Sequence, residues 1–337
     1  MLAIGITLHI RFSSLILIIL GQILVSGGIS LIQLTELQLI YSYTTGQNEC
    51  CAYSYKCSVN FLCGAVGAII GGNINRVPLF KNVGYRKLFF VCIILILITC
   101  AIRHWLLPKE SIVEVEREGV KKSIIDSVKF LRIDKNTQLF AVLLFITTMG
   151  FSGVGPYNNL ILKDSFHIGN NIISYITFGI TILSMIGIIL MPAIIEKIGV
   201  GIFNVIIFIV AIVSCFTLSI NLRIQFFIVV LMTRGMFAWL IVSSLDSLMM
   251  SNIDIEHRDI FAAVKMLVSG VSLSLGNFIG GWILNNYGYK GNYLYGGFIL
   301  ICGVMFFYIK VKGRMLNRKV NRVCSCHFKS RQIEYKR

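Results

Sequence analysis

The chain of 337 residues is 56% hydrophobic and only 14% charged, with a mean hydropathy of +0.81. Soluble domains carry about a quarter charged residues, so a water-soluble globular fold is excluded. The formal net charge of +16 does not indicate nucleic acid, because ten of the 31 lysines and arginines crowd into 310–337 against a single acid, Glu334. That distribution suits a cytoplasmic tail beside anionic lipid.

A helix needs about 20 apolar residues to cross a bilayer. Nine runs meet that length, near 12–40, 55–74, 87–107, 138–161, 172–195, 201–220, 225–250, 260–284 and 291–310. The predicted fold is an all-α polytopic membrane protein. Residues 1–8 are apolar but too short to span, and without a small-residue cleavage site they read as the tail of a helix rather than a signal peptide.

The first span carries Gln22 and, in its last third, Glu36. The second opens on Lys56 and places Asn60, Cys63 and Gly67 at steps of four, three and four, before the pair Gly71-Gly72. These steps put all four residues on one helix face. After the third span comes the longest polar stretch, 108–137, with seven basic and six acidic residues. It reads as a cytosolic linker between two bundles.

The first span after the linker contains GFSGVGPYNNLILK, in which Gly150, Gly153, Gly155 and Pro156 interrupt the helix ahead of Tyr157, Asn158 and Asn159. A broken helix frees backbone polar groups of the kind that transporters use at their sites, although a kink held by interhelical amide bonds needs no ligand. Three spans later lies Arg234, whose charge persists at any working pH and needs a partner inside hydrocarbon. On the same helix Trp239, Ser243 and Asp246 share a face and could line the cytosolic half of a path. Glu36 and Asp246 are the candidate proton carriers, since a partly buried carboxylate can take a raised pKa. Asp246 has a second reading, as the ion-pair partner of Lys265 on the next helix.

That next helix repeats the second span. Residues 265–283, KMLVSGVSLSLGNFIGGWI, match 56–74 at seven of nineteen positions, 209 residues apart. Lys265, Ser269, Ser272 and Gly276 reproduce the face, Gly280-Gly281 the glycine pair, and Asn277 adds an amide beside it. Glycines here read first as helix packing and second as direct ligand contacts, and bending at the double glycines could assist gating. A repeat in the same direction on either side of a linker implies two bundles related by a pseudo-two-fold along the membrane normal. The domains are then a partial bundle at 1–107, the linker at 108–137, a six-helix bundle at 138–310 and the basic tail at 311–337.

The helix layout resembles the major facilitator superfamily, whose complete members have two six-helix halves. The resemblance is sharpest at 225–310, where a TRG-bearing helix precedes the turn DIEHRD, with Glu256 and Arg258, and then the lysine-to-double-glycine helix. MPAIIEKIGV at 191–200, with Glu196, Lys197 and Gly199, resembles the family's eight-to-nine turn. The six spans after 137 look like the complete second half, and those before it like helices four to six, so the first two to three helices are absent from the pattern. The resemblance implies a monomeric, multi-pass cell-membrane transporter with a cytoplasmic C-terminus, surrounded by lipid. It would move a small-molecule substrate by alternating access, with a proton as coupling ion and efflux as direction. The alternative is a shortened, non-transporting chain that keeps the transporter-like fold.

An enzyme is disfavoured, because no HExxH, GxSxG or P-loop pattern occurs and the five histidines, at 9, 104, 167, 257 and 327, do not cluster. No cofactor is implied. Cys324, Cys326 and His327 lack the second pair that a structural metal site needs, so no metal is expected.

Overall fold

The structure, a computed structural model, describes residues 1–11, 14–43, 49–74, 85–106, 135–252 and 258–312. Among these the chain is helical almost throughout, the form in which an apolar segment satisfies its own backbone in hydrocarbon. In chain order the helices are α1 (Leu2–Arg11), α2 (Leu15–Tyr43), α3 (Glu49–Gly72), α4 (Tyr85–Leu106), α5 (Lys135–Ser152), α6 (Asn158–Asp164), α7 (Asn170–Ile198), α8 (Val200–Leu218), α9 (Ile224–Asn252) and α10 (Arg258–Phe306). A 3-10 turn at Gly155–Tyr157 joins α5 to α6, and a π-helical turn at Phe307–Lys312 follows α10. Of the linker expected at 108–137, residues 108–134 lie outside the described residues, and 135–137 begin α5; residues 253–257, with Glu256, and 313–337 of the expected tail also lie outside them.

Among the described residues seven helical segments are long and apolar enough to cross a membrane, against nine expected spans, and they hold eight of those nine. Two physical reasons account for the difference. The segment Phe261–Lys310 carries two of the expected spans in one run. It is broken at Gly288, whose φ of 70° and ψ of −173° only glycine adopts readily. Beyond this break Asn292 bonds the carbonyl of Gly280, twelve residues back, so the two legs of α10 fold against each other as a hairpin. The expected second span, α3, is 24 residues long but is not among the seven, its hydropathy lowered by Lys56, Asn60 and its glycines.

The chain divides into two compact units, the first Met1–Tyr53, Val66–Glu118 and Asn170–Tyr175, the second Ser54–Ala65, Gly119–Gly169 and Ile176–Arg337. In the first unit α1 packs on α2 through glycines. A Cβ on Gly5 would lie 2.6 Å from the Gly21 carbonyl, and one on Gly28 would lie 3.0 Å from Leu2. Close backbone approach of this kind holds helices together where lipid supplies no hydrophobic drive. At the end of α3, Asn73 donates to the Ile69 carbonyl, and Gly72 meets the side chain of Ser174.

The second unit holds the main core, in which Leu143, Phe208, Ala211, Ile241 and Leu300 are fully or almost fully enclosed. Here α10 lies along α5 and α8, and α9 along α8. Glycines again mark the tightest approaches: Gly235 of α9 faces Ile180 of α7, and Gly187 of α7 faces Met236 of α9. The turn from α7 to α8 is made at Gly199, whose positive φ of 82° ends α7 just after Glu196 and Lys197 while its N–H donates to the Ile195 carbonyl.

Candidate functional site

The site is built where α5 fails. The α5 ladder tightens at its end, with Val154 N–H donating to the Phe151 carbonyl and Tyr157 N–H to the Val154 carbonyl, three residues back in each case. Pro156 contributes no donor, so the break is written into GVGPY. Two side chains from α10 answer the groups this exposes. Asn292, fully buried, donates through Nδ2 to the Gly153 carbonyl at 2.8 Å and to the Gly280 carbonyl at 3.0 Å. Tyr293, also fully buried, donates its hydroxyl to Asn158 Oδ1 at 3.0 Å. From the other direction the Tyr157 hydroxyl donates to the Asn277 carbonyl at 2.6 Å. Asn159, one residue on, is exposed.

Arg234 adjoins this assembly through Tyr293. It is the eleventh residue of α9, about 15 Å along the helix axis from its start at 1.5 Å per residue, near the middle of a bilayer core. Only 2% of it is exposed. Its guanidinium carbon stands 5.8 Å from the centre of the Tyr293 ring, and its Nε donates to Cys215 Sγ of α8 at 3.2 Å. Among the described residues no carboxylate pairs with it. These partners are weak for a buried cation. A ring face gives about 2 kcal/mol when desolvated, against a cost of at least about 2.5–3.5 kcal/mol for arginine at a helix centre. A thiol is a poor acceptor. The remaining guanidinium donors have no acceptor among the described residues.

The lower half of α9 behaves differently. Asp246 forms an ion pair with Lys265 at 2.6 Å, so the second of the two readings of Asp246 describes its contact. Trp239, half exposed, receives the ring of Phe61 from α3 edge-on at 5.2 Å, which gives it a wall as neighbour. Ser243 is part-buried beside them.

The repeated helix faces are placed unequally. On α10 a Cβ at Gly276 would strike Ser152 and the Met149 carbonyl, one at Gly280 the backbone of Gly153, and one at Gly281 the Tyr157 hydroxyl. These three glycines let α10 close on the break in α5. On α3 a Cβ at Gly67 or Gly71 meets nothing within 4 Å among the described residues, and Asn60 is exposed. Lys56 is part-buried. Gln22 is exposed on α2 and donates to Ser26 Oγ at 3.4 Å, apart from the break. The side chain of Glu36 lies outside the described residues.

The structure therefore joins Tyr157, Asn158, Asn277 and, through Tyr293, Arg234. Asn292, Tyr293 and Cys215 were not singled out in the sequence. A signal existed for the first two, an Asn-Tyr pair just beyond Gly288 at the head of an apolar run, but nothing local tied it to Gly153, 139 residues away.

No curated protein matches the chain. The family model described as Major Facilitator Superfamily matches residues 1–276, from α1 to the glycine at which α10 meets α5. Long apolar helices are fewer among the described residues than the two six-helix halves of complete members. With most of its length matched, the chain belongs to the Major Facilitator Superfamily and is a multi-pass membrane transporter of the secondary type, not an enzyme.

Proposed function

We propose that the chain moves a small organic solute across the cell membrane by alternating access of its bundles, with protons entering as solute leaves. The observation that carries this reading is Arg234, a mid-membrane cation 2% exposed, set against a broken helix and met among the described residues by a thiol and a ring face. A purely structural charge at that depth is costly, and such charges mark substrate or ion pathways. The break supplies the second element, since interrupted helices face transporter sites.

In this reading Tyr157, Asn158 and Asn277 form the polar wall of the passage, and Trp239 with Ser243 lines its continuation toward Asp246. Protonation of Asp246 removes its charge and releases Lys265, so proton binding loosens α9 from α10. Glu36, on α2, is the other proposed carrier. The linker and the basic tail are proposed to face the cytoplasm, and the transporting form is proposed to be the monomer.

The test is transport by purified protein in sealed vesicles with an imposed pH gradient. Solute should accumulate against its gradient, collapse when a protonophore is added, and fall at least tenfold in Arg234→Ala at equal protein content. Transport by R234A at the wild-type rate, or accumulation indifferent to the protonophore, overturns the reading.

A further inference from the structure

The state of the guanidinium at Arg234 bears on what kind of solute fits, an inference that rests on the transport reading above. A guanidinium carries five N–H donors in a planar fork. One of them, at Nε, is given to Cys215 Sγ at 3.2 Å, and no acceptor among the described residues takes the others. Of the oxygens in the assembly around Tyr293, its own hydroxyl donates to Asn158 Oδ1 and the Gly153 and Gly280 carbonyls accept from Asn292, while Asn292 Oδ1 is buried without a partner among the described residues. The Tyr293 ring covers the guanidinium at 5.8 Å. The donors at the two terminal nitrogens of the fork are the ones that pair with two oxygens of one oxyanion.

The charge balance points the same way. The ion pair shown nearest along α9, Asp246 with Lys265, begins twelve residues from Arg234, about 18 Å along the axis. It is internally neutral and leaves the positive charge at Arg234 uncancelled. A cationic solute would add a second positive charge at this depth. A neutral solute would leave the first one uncompensated. An anion removes the cost.

We infer that the solute is an organic anion whose carboxylate or phosphate group is held bidentately by the guanidinium of Arg234, with Tyr293 fixing the plane of the fork. Tyr293 is a positioning residue and Arg234 the binding residue. The amides of the break then face the uncharged part of the same molecule and set its size.

The experiment uses one ring in five charge forms: benzoate, phenyl phosphate, benzamide, benzyl alcohol and benzyltrimethylammonium. Thermal stabilisation of the full chain in detergent and pH-gradient-driven flux in sealed vesicles are both recorded, with a set of short aliphatic acids and alcohols as a second scaffold. Stabilisation confined to the oxyanions, weakened at least tenfold in apparent affinity in Arg234→Gln and partly kept in Arg234→Lys, is the expected result. Benzoate and aliphatic acids against phenyl phosphate decide which oxyanion is preferred. Tyr293→Phe keeps the ring over the guanidinium while losing the Asn158 bond, so anion selectivity should survive in it. That variant keeps the test open if R234Q folds poorly. Gradient-driven flux of the neutral or cationic forms that persists in R234K overturns this inference and leaves the transport reading standing. Failure of every compound to stabilise the protein or move along the gradient overturns both.

Discussion

The two copies of the lysine-to-double-glycine segment share a third of their residues yet differ in what covers them. On α10, Ser272 and Gly276 are buried, and Gly276, Gly280 and Gly281 meet α5 or its extension. On α3, Cys63 and Gly67 are exposed, Gly67 and Gly71 meet nothing within 4 Å among the described residues, and Gly72 meets the side chain of Ser174. The comparison teaches that a small-residue face permits close approach but does not supply the partner. On α10 the partner is equally small at the contact, Ser152 and Gly153, so both backbones can approach. A face of glycines opposite large side chains would gain nothing.

The largest expected effect is therefore a matched pair of leucine substitutions. Gly280→Leu would force a side chain into the backbone of Gly153 and displace Asn292 from its two carbonyls. The expected cost is about 3 kcal/mol or more, the upper end for overpacking, seen as loss of most folded protein in detergent. Gly71→Leu, in the equivalent place on α3, meets open space and should stay within about 0.5 kcal/mol of the parent. Equal damage from both would mean that α3 has a tight partner on that face.

Alanine sharpens the same contrast at smaller scale. Gly276→Ala must push Ser152 or the Met149 carbonyl aside and should cost about 1–3 kcal/mol. Gly67→Ala has room, and in a helix interior alanine is favoured over glycine by about 0.5–1 kcal/mol. The two substitutions should move the thermal midpoint in opposite directions. A fall in both would show that the α3 glycine is also packed.

Much of this was legible in the sequence, and the exceptions share a cause. The helix break is fixed by Gly153, Gly155 and Pro156, and the α7–α8 turn by Gly199, because backbone restrictions are local. Arg234 was legible as a residue in need of a partner because an apolar run around a charge is visible without coordinates. The partner itself was not. Cys215, Asn158 and Tyr293 come from three other elements, and their convergence is tertiary. The repeat was read as two equivalent faces, whereas identity at seven of nineteen positions specifies a helix surface and leaves its neighbour open. Eight of the nine expected spans lie in the apolar helices: α3 is long enough but carries Lys56 and Asn60, and the last two runs are continuous in sequence through Gly288, where the dihedral angles reveal the fold-back.

A third pair of variants separates the hairpin from the rest of α10. Asn292→Leu removes the donor that joins Gly153 to Gly280, leaving two buried carbonyls without it. An unsatisfied buried group costs about 1–3 kcal/mol. Tyr293→Phe leaves Asn158 Oδ1 without its donor, but Asn158 is only part-buried and can turn to water. The loss should be about 1 kcal/mol. N292L should therefore unfold well before Y293F. The reverse order would place the main anchor of the break at Asn158.

The smallest effect belongs to the one ion pair shown on the repeated faces. Lys265 and Asp246 are about a quarter and a third exposed, so water screens much of their attraction despite the 2.6 Å separation. A double-mutant cycle of Lys265→Met and Asp246→Asn should give a stability coupling of about 0.2–1 kcal/mol, while the proton dependence of flux changes far more than stability does. Exchanging the charges, with Lys265→Asp and Asp246→Lys together, should restore most of the coupling but not the proton dependence, because the carboxylate then sits on α10 instead of α9. Full recovery of both would mean that the pair serves only to hold the two helices together.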